Sequence, residues 1–154
     1  MNKVFLTAVA VLAATTAGHA QTIGPERVAA AILTGFQFQD VDMIAPFANE
    51  TNAAFFHGLQ SGTEDPAELF DGDRGAAGIA WDGMILPVRY NDRAQAVVPF
   101  AIEGEATAMP LGSGVEGRYI SVVLSLDSPE DTSWGLVDFN YIDRAEYAAM
   151  AETR

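Results

Sequence analysis

Apolar residues recur every three to four positions in the first third of the chain, and short runs rich in Val, Ile, Phe and Tyr, bounded by turn residues, fill much of the second half. The chain therefore reads as helices followed by strands. Val28, Ile32 and Phe36, with Ala29 and Leu33 beside them, form one helical stripe that runs to about Gln39. Gly24-Pro25-Glu26 opens this helix, with proline in the first turn and an acid near the positive end of the dipole. Asp40-Val41-Asp42 caps a second, short helix reaching to about Ala48, its length limited by Pro46. Thr51-Asn52 starts a third segment with Phe55, Phe56 and Leu59 on its buried side and Gly62 as its stop. Residues 61–78 are rich in glycine and acid and read as a loop with one apolar turn around Leu69-Phe70.

From Ile79 the pattern turns to strands, expected over residues 79–90, 94–102, 118–127 and 133–142. Asn91-Asp92 makes a tight hairpin between the first two, and residues 104–117 form a longer connection. Ser128-Pro129-Glu130-Asp131 turns the third strand into the fourth. Asp143 caps a last helix, with Tyr147 and Met150 as its inward pair. Helices first and an antiparallel meander second define an α+β chain: a curved sheet of about four strands packed on N-terminal helices, with a short C-terminal helix.

The N-terminus changes this picture. Lys3 is followed by an apolar run over residues 4–14 (VFLTAVAVLAA), and Gly18-His19-Ala20 supplies the small residues a signal peptidase requires. Residues 1–20 are thus expected to be a signal peptide cleaved after Ala20, leaving residues 21–154 as one domain. The apolar run is too short for a bilayer core, so the product is expected to be soluble and periplasmic or secreted, with no membrane span. Cysteine is absent, which excludes a disulfide framework and thiolate chemistry and fits a Gram-negative periplasm.

Lys3 is the only lysine, so the mature chain sets seven arginines against twenty-one acids, a net charge of −14. A surface of this sign repels nucleic acid and anionic lipid. It suits cationic ligands, basic partners or divalent ions, and equally it suits solubility in a salty medium.

The three N-terminal helical segments, the meander and the ending Trp134-Gly135-Leu136-Val137-Asp138-Phe139 resemble the nuclear transport factor 2-like superfamily, the cystatin-like α+β cone. The resemblance covers residues 25–150. It implies a conical pocket between the concave sheet face and the helices. Members include isomerases, dehydratases, polyketide cyclases and epoxide hydrolases, as well as domains that only bind ligands or partners. The tyrosine and paired aspartates of the ketosteroid isomerases have no residue-by-residue match here, so no catalytic role is carried over.

Candidate chemistry is sparse. His57, alone in the mature chain, is either a general base in a pocket or a surface histidine near a helix C-terminus. Alternation puts Asp138 on the side of Trp134, Leu136, Asn140 and Ile142, opposite Val137, Phe139 and Tyr141. On a cone-facing side, desolvation would make Asp138 a base; on a wet side it is an ordinary polar residue. Tyr90, Tyr119 and Tyr141 are the candidate hydrogen-bond donors of a cofactor-free lyase or isomerase.

Trp81-Asp82-Gly83 reads as a bulge or a pocket mouth, and Arg89 and Arg118 either pair with carboxylates or bind an anion. Phe36, Phe56, Trp81, Arg89, Tyr90, Tyr119, Trp134 and Asp138 are the expected ligand-binding set. The acidic stretch Glu64, Asp65, Glu68, Asp71, Asp73 lacks the full calcium-loop pattern and reads as a solvated loop, and Asn49-Glu50-Thr51 matches a glycosylation acceptor. Phosphate-binding, serine-hydrolase and dinucleotide motifs are absent. The expected function is binding of a small apolar ligand or partner segment without cofactor or metal. The alternatives are a lyase or isomerase, and an interaction or inhibitor domain acting through its sheet, with a homodimer as its simplest form.

Overall fold

The computed structural model describes residues 23–70, 85–100 and 118–154. The expected signal segment, the expected strand start at residues 79–84 with Trp81 and Asp82, and the connection at residues 104–117 lie outside the described residues.

Helix α1 (Pro25–Phe38) has proline in its first turn and ends at Gln39, whose left-handed φ of 51° lets its N–H return to the last carbonyls of the helix. The Asp40 side chain accepts from the N–H groups of Asp42 and Met43, starting helix α2 (Val41–Ile44). Pro46 then tightens the chain into a 3-10 turn at Ala45–Phe47. Helix α3 (Ala53–Ser61) stops at Gly62 with φ 75°. These elements follow the hydrophobic pattern closely.

The stretch expected to be loop contains a helical turn, α4 (Pro66–Phe70). Asp65 accepts from the Ala67 N–H and Pro66 fixes φ at the first position, so the motif is a capped helix start hidden in an acidic sequence. Its Leu69 and Phe70 are buried.

Strands β1 (Arg89–Tyr90), β2 (Ala96–Phe100), β3 (Arg118–Ser125) and β4 (Gly135–Asp143) form one antiparallel sheet in the order β1-β2-β3-β4. Of the expected strand at residues 79–90, the described part, residues 85–90, is paired as a strand only at Arg89–Tyr90. Ahead of it, Ile85 makes a single bridge to Phe100, and Pro87, which has no N–H to donate, precedes the two paired residues. The hairpin is also wider than Asn91-Asp92: Asn91 Oδ1 accepts from the Arg93 and Gln95 N–H groups, and Ala94 takes φ 56°.

Ala96, Val98 and Phe100 of β2, Ile120, Val122 and Leu124 of β3, and Leu136 and Phe139 of β4 face the helices and join α1, α3 and α4 in one core. Phe36 sits at its centre at 1% exposure, edge-on to Phe139 at 4.4 Å and to Phe70 at 5.5 Å. Two short seams tie helices to sheet. Gly35 lets α2 close on α1, since a Cβ there would lie 2.5 Å from Ile44 Cγ1. Gly135 lets β4 slide under the chain at Asn49, where Ala48 bridges Leu136.

Helix α5 (Arg144–Ala149) starts from a capping box. Asp143 accepts from the N–H groups of Ala145 and Glu146, and Glu146 accepts from the Asp143 N–H. The helix ends before the chain does. Ala151 leaves it to bridge Tyr90 in antiparallel fashion, so the C-terminal segment covers the free edge of β1.

Candidate functional site

The alternation argument for Asp138 requires a correction. Val123 pairs with Asp138 and Leu124 pairs with Leu136, which leaves Val137 as an extra residue in β4. This bulge shifts the parity by one. Leu136 points into the core with Phe139 and Tyr141, while Asp138 lies with Asn140 and Ile142 on the face turned away from the N-terminal helices. There Asp138 is half-buried, and its Oδ1 accepts from the Phe139 N–H at 2.9 Å.

The remaining candidates are dispersed. His57 is exposed on α3. Phe36 and Phe56 are core residues, at 1% and 3% exposure. The Tyr141 hydroxyl is buried on the core side without a hydrogen-bond partner among the described residues, and desolvation pushes its pKa above the usual value of 10.0. Arg118 begins β3. Among the described residues no three histidine or acidic side chains group to hold a metal ion. No described helix is long and apolar enough to cross a membrane.

What the fold does gather is a set around the C-terminal segment. Arg89 shares a cross-strand row with Val97, Val123 and Asp138 on the outer face, about three strand spacings, or ~14 Å, from the aspartate. It therefore pairs elsewhere. Arg89 Nη1 lies 2.7 Å from Glu152, and the guanidinium stands 5.0 Å over the Tyr147 ring. The Tyr147 hydroxyl and then the Glu152 carboxylate raise the Arg89 pKa further above its ordinary value. Tyr147 also stacks edge-on to Tyr119 at 6.0 Å and donates its hydroxyl to the Pro87 carbonyl at 2.7 Å. Tyr90 faces Trp134 at 6.5 Å, and the Arg154 guanidinium lies 5.9 Å over the Trp134 ring. Four of the expected binding residues, Arg89, Tyr90, Tyr119 and Trp134, thus adjoin or flank one feature, the returning C-terminus, which sequence periodicity does not reveal.

Two grooves flank this segment. One, about 360 Å³, runs between Tyr90-Asn91-Asp92 and Ala149-Met150-Ala151. The other, about 260 Å³, lies between Arg93-Ala94, the turn at residues 125–129 and Arg154. Both of its arginines are exposed, and no described carboxylate pairs with either guanidinium. Arg154 donates to the Pro129 carbonyl at 3.3 Å. Asp127, in the same lining, accepts from the Glu50 N–H at 3.2 Å, and Ser125 and Ser128 add hydroxyl groups. Arg93 and Arg154 were not among the sequence candidates. The signal available was their scarcity, two of seven arginines in a strongly acidic chain.

Compared with known protein families, curated proteins and solved structures, the chain has no match.

Proposed function

We propose that this chain is an exported, non-catalytic binding domain that takes an anionic group, carried by a small ligand or a partner segment, into the groove between the hairpin loop at residues 91–95 and the turn at residues 125–129. The observation that carries this reading is the convergence of Arg93 and Arg154 on one groove of a domain whose net charge is −14. Two exposed guanidinium groups lining one groove, with no ion-pair partner among the described residues, suit a carboxylate or phosphate in spite of the surrounding field and of Asp127 in the same lining. The serine hydroxyls supply further donors, and Leu126 and Pro129 supply apolar lining. The binding reading is preferred to a lyase or isomerase because Asp138 and Tyr141 lie on opposite faces of the sheet and His57 sits on another element. The candidate base and donor groups Asp138, Tyr141 and His57 therefore do not meet at a common point.

Membership of the nuclear transport factor 2-like superfamily is part of the proposal. It is supported by the order of N-terminal helices, four-strand meander and C-terminal helix. Ligand entry from the groove, rather than into the cone, is supported by the packing of Phe70 and Phe139 against Phe36 where a conical pocket would place its floor. Export to the periplasm is supported by residues 1–20 of the sequence.

Titration with succinate and with inorganic phosphate, followed through the arginine Nε–H and backbone amide resonances, tests the site. Saturable shifts at Arg93, Arg154, Ser125 and Ser128 are expected, abolished in the Arg93→Gln/Arg154→Gln protein. Shifts that never saturate, or that persist in the double variant, would refute the groove as an anion site.

A further inference from the structure

We infer that the C-terminal segment after α5 is exchanged between two copies of this chain, each copy's Ala151 pairing with the β1 edge of the other. Among the described residues, the β1 edge has little else to cover it. Tyr90 donates its N–H to the Ala151 carbonyl at 2.8 Å and accepts from the Ala151 N–H at 3.0 Å, while the Pro87 carbonyl is taken by the Tyr147 hydroxyl. An uncovered edge of this kind is a template for another strand. The one segment known to fit it is present in every copy.

The connection is what favours exchange. A single residue, Met150, with φ −74° and ψ 151°, separates the last helical residue, Ala149, from the paired Ala151. Short hinges invite swapping, because they allow the closed form only one tight path while an opened hinge serves any neighbour. The local sequence also conflicts with the closed form. Met150-Ala151-Glu152-Thr153-Arg154 contains neither glycine nor proline, and four of its five residues are good helix formers, yet the helix ends at Ala149. Opening at Met150 lets α5 run on by about a turn and carries the segment away from its own β1.

The contacts are self-complementary. The Arg89–Glu152 ion pair and the Arg154 guanidinium over Trp134 both join the segment to the body of the fold. Each can form between copies without change of partner, giving two equivalent junctions about a two-fold axis. Exchange also places Arg93 and Arg154 of each anion groove on different copies. The inference does not depend on that groove binding anything.

Because the chain has no cysteine, the junction can be trapped cleanly. A Tyr90→Cys chain mixed with an Ala151→Cys chain under mild oxidation is expected to give a covalent heterodimer. Sedimentation of the unmodified protein is expected to show dimer growing in toward about 1 mM, the effective concentration typical of short linkers. A Gly-Ser-Gly insertion after Met150 is expected to return the protein to monomer. A chain that remains monomeric across that range overturns the inference. So does a dimer whose mixed cysteine chains never cross-link while the Tyr90→Cys/Ala151→Cys double variant closes its own disulfide.

Discussion

Asn52 reaches across the molecule to β4: its Nδ2 donates to the Leu136 carbonyl at 2.7 Å, 84 residues away in the chain. Its Oδ1 accepts from the Asn49 N–H at 2.8 Å, and Asn49 Oδ1 accepts in turn from the Asn52 N–H at 3.0 Å. This reciprocal pair satisfies the backbone at the entrance to α3 and fixes the helical layer to the first residues of the last strand.

Replacement of Asn52 by Ala leaves the Leu136 carbonyl and the Asn49 N–H without these partners in a half-buried seam. A loss of about 1–3 kcal/mol in unfolding free energy is expected, read from urea denaturation with an unchanged m-value. A loss below about 0.5 kcal/mol, the level of an ordinary surface change, would show that the seam is not a fixed junction.

Gly135 stands against Asn49, where an added Cβ would lie 2.8 Å from the Asn49 Cβ and 3.1 Å from its Cα. The obstacle is backbone and its first side-chain atom, so it cannot rotate away. Gly135→Ala is expected to cost about 1–3 kcal/mol by overpacking. Gly62→Ala is a useful contrast: nothing lies within 4 Å of its Cβ, and its cost of about 1 kcal/mol comes from the left-handed backbone alone. Thermal melts of the two variants, compared at equal pH, separate the causes.

Phe36→Ala is expected to destabilise the fold by about 3–5 kcal/mol, because Phe36 is enclosed by Phe70 and Phe139 and its removal leaves a void. Were Phe36 the lining of a ligand cone, truncation would enlarge a hollow and leave the melting curve nearly unchanged. Denaturant titration distinguishes the two outcomes directly.

Tyr141 sets an alkaline limit. Burial raises its pKa in the folded state above 10.0, so above that pH the unfolded chain releases the phenolic proton first. The stabilising contribution is present in full below about pH 10 and declines as pH rises through the folded-state value. Tyr141→Phe is expected to remove this part of the alkaline slope. It should cost little near pH 7, since the hydroxyl has no described partner to lose. A variant with the same slope as the parent above pH 10 would assign the effect to another group.

The sequence disclosed most where local chemistry decides structure. Gly24-Pro25, Asp40, Gly62 and Asp143 begin or end their helices through caps and backbone preferences that operate over a few residues, and the stripe Val28, Ile32, Phe36 found the core. It disclosed least where partners are distant. Alternation in β4 cannot register Val137 as an inserted residue, because the bulge is defined only by the pairing with β3. The α4 turn was obscured by acidic neighbours that outweighed Asp65-Pro66. Arg93 and Arg154 come together only because the chain doubles back after α5, a consequence of Tyr90 having an open edge rather than of any pattern in residues 150–154.

The extra residue in β4 makes Val137 the place where strand length can vary by one. Deletion of Val137 would spare the inside-outside identity of every neighbour, since Leu136 and Asp138 already face opposite ways, and would exchange local coil for a straighter ribbon. Deletion of Asn140 would instead turn the preceding half of the strand inside out. The bulge gives β4 one slot where a residue can be lost without turning the strand over.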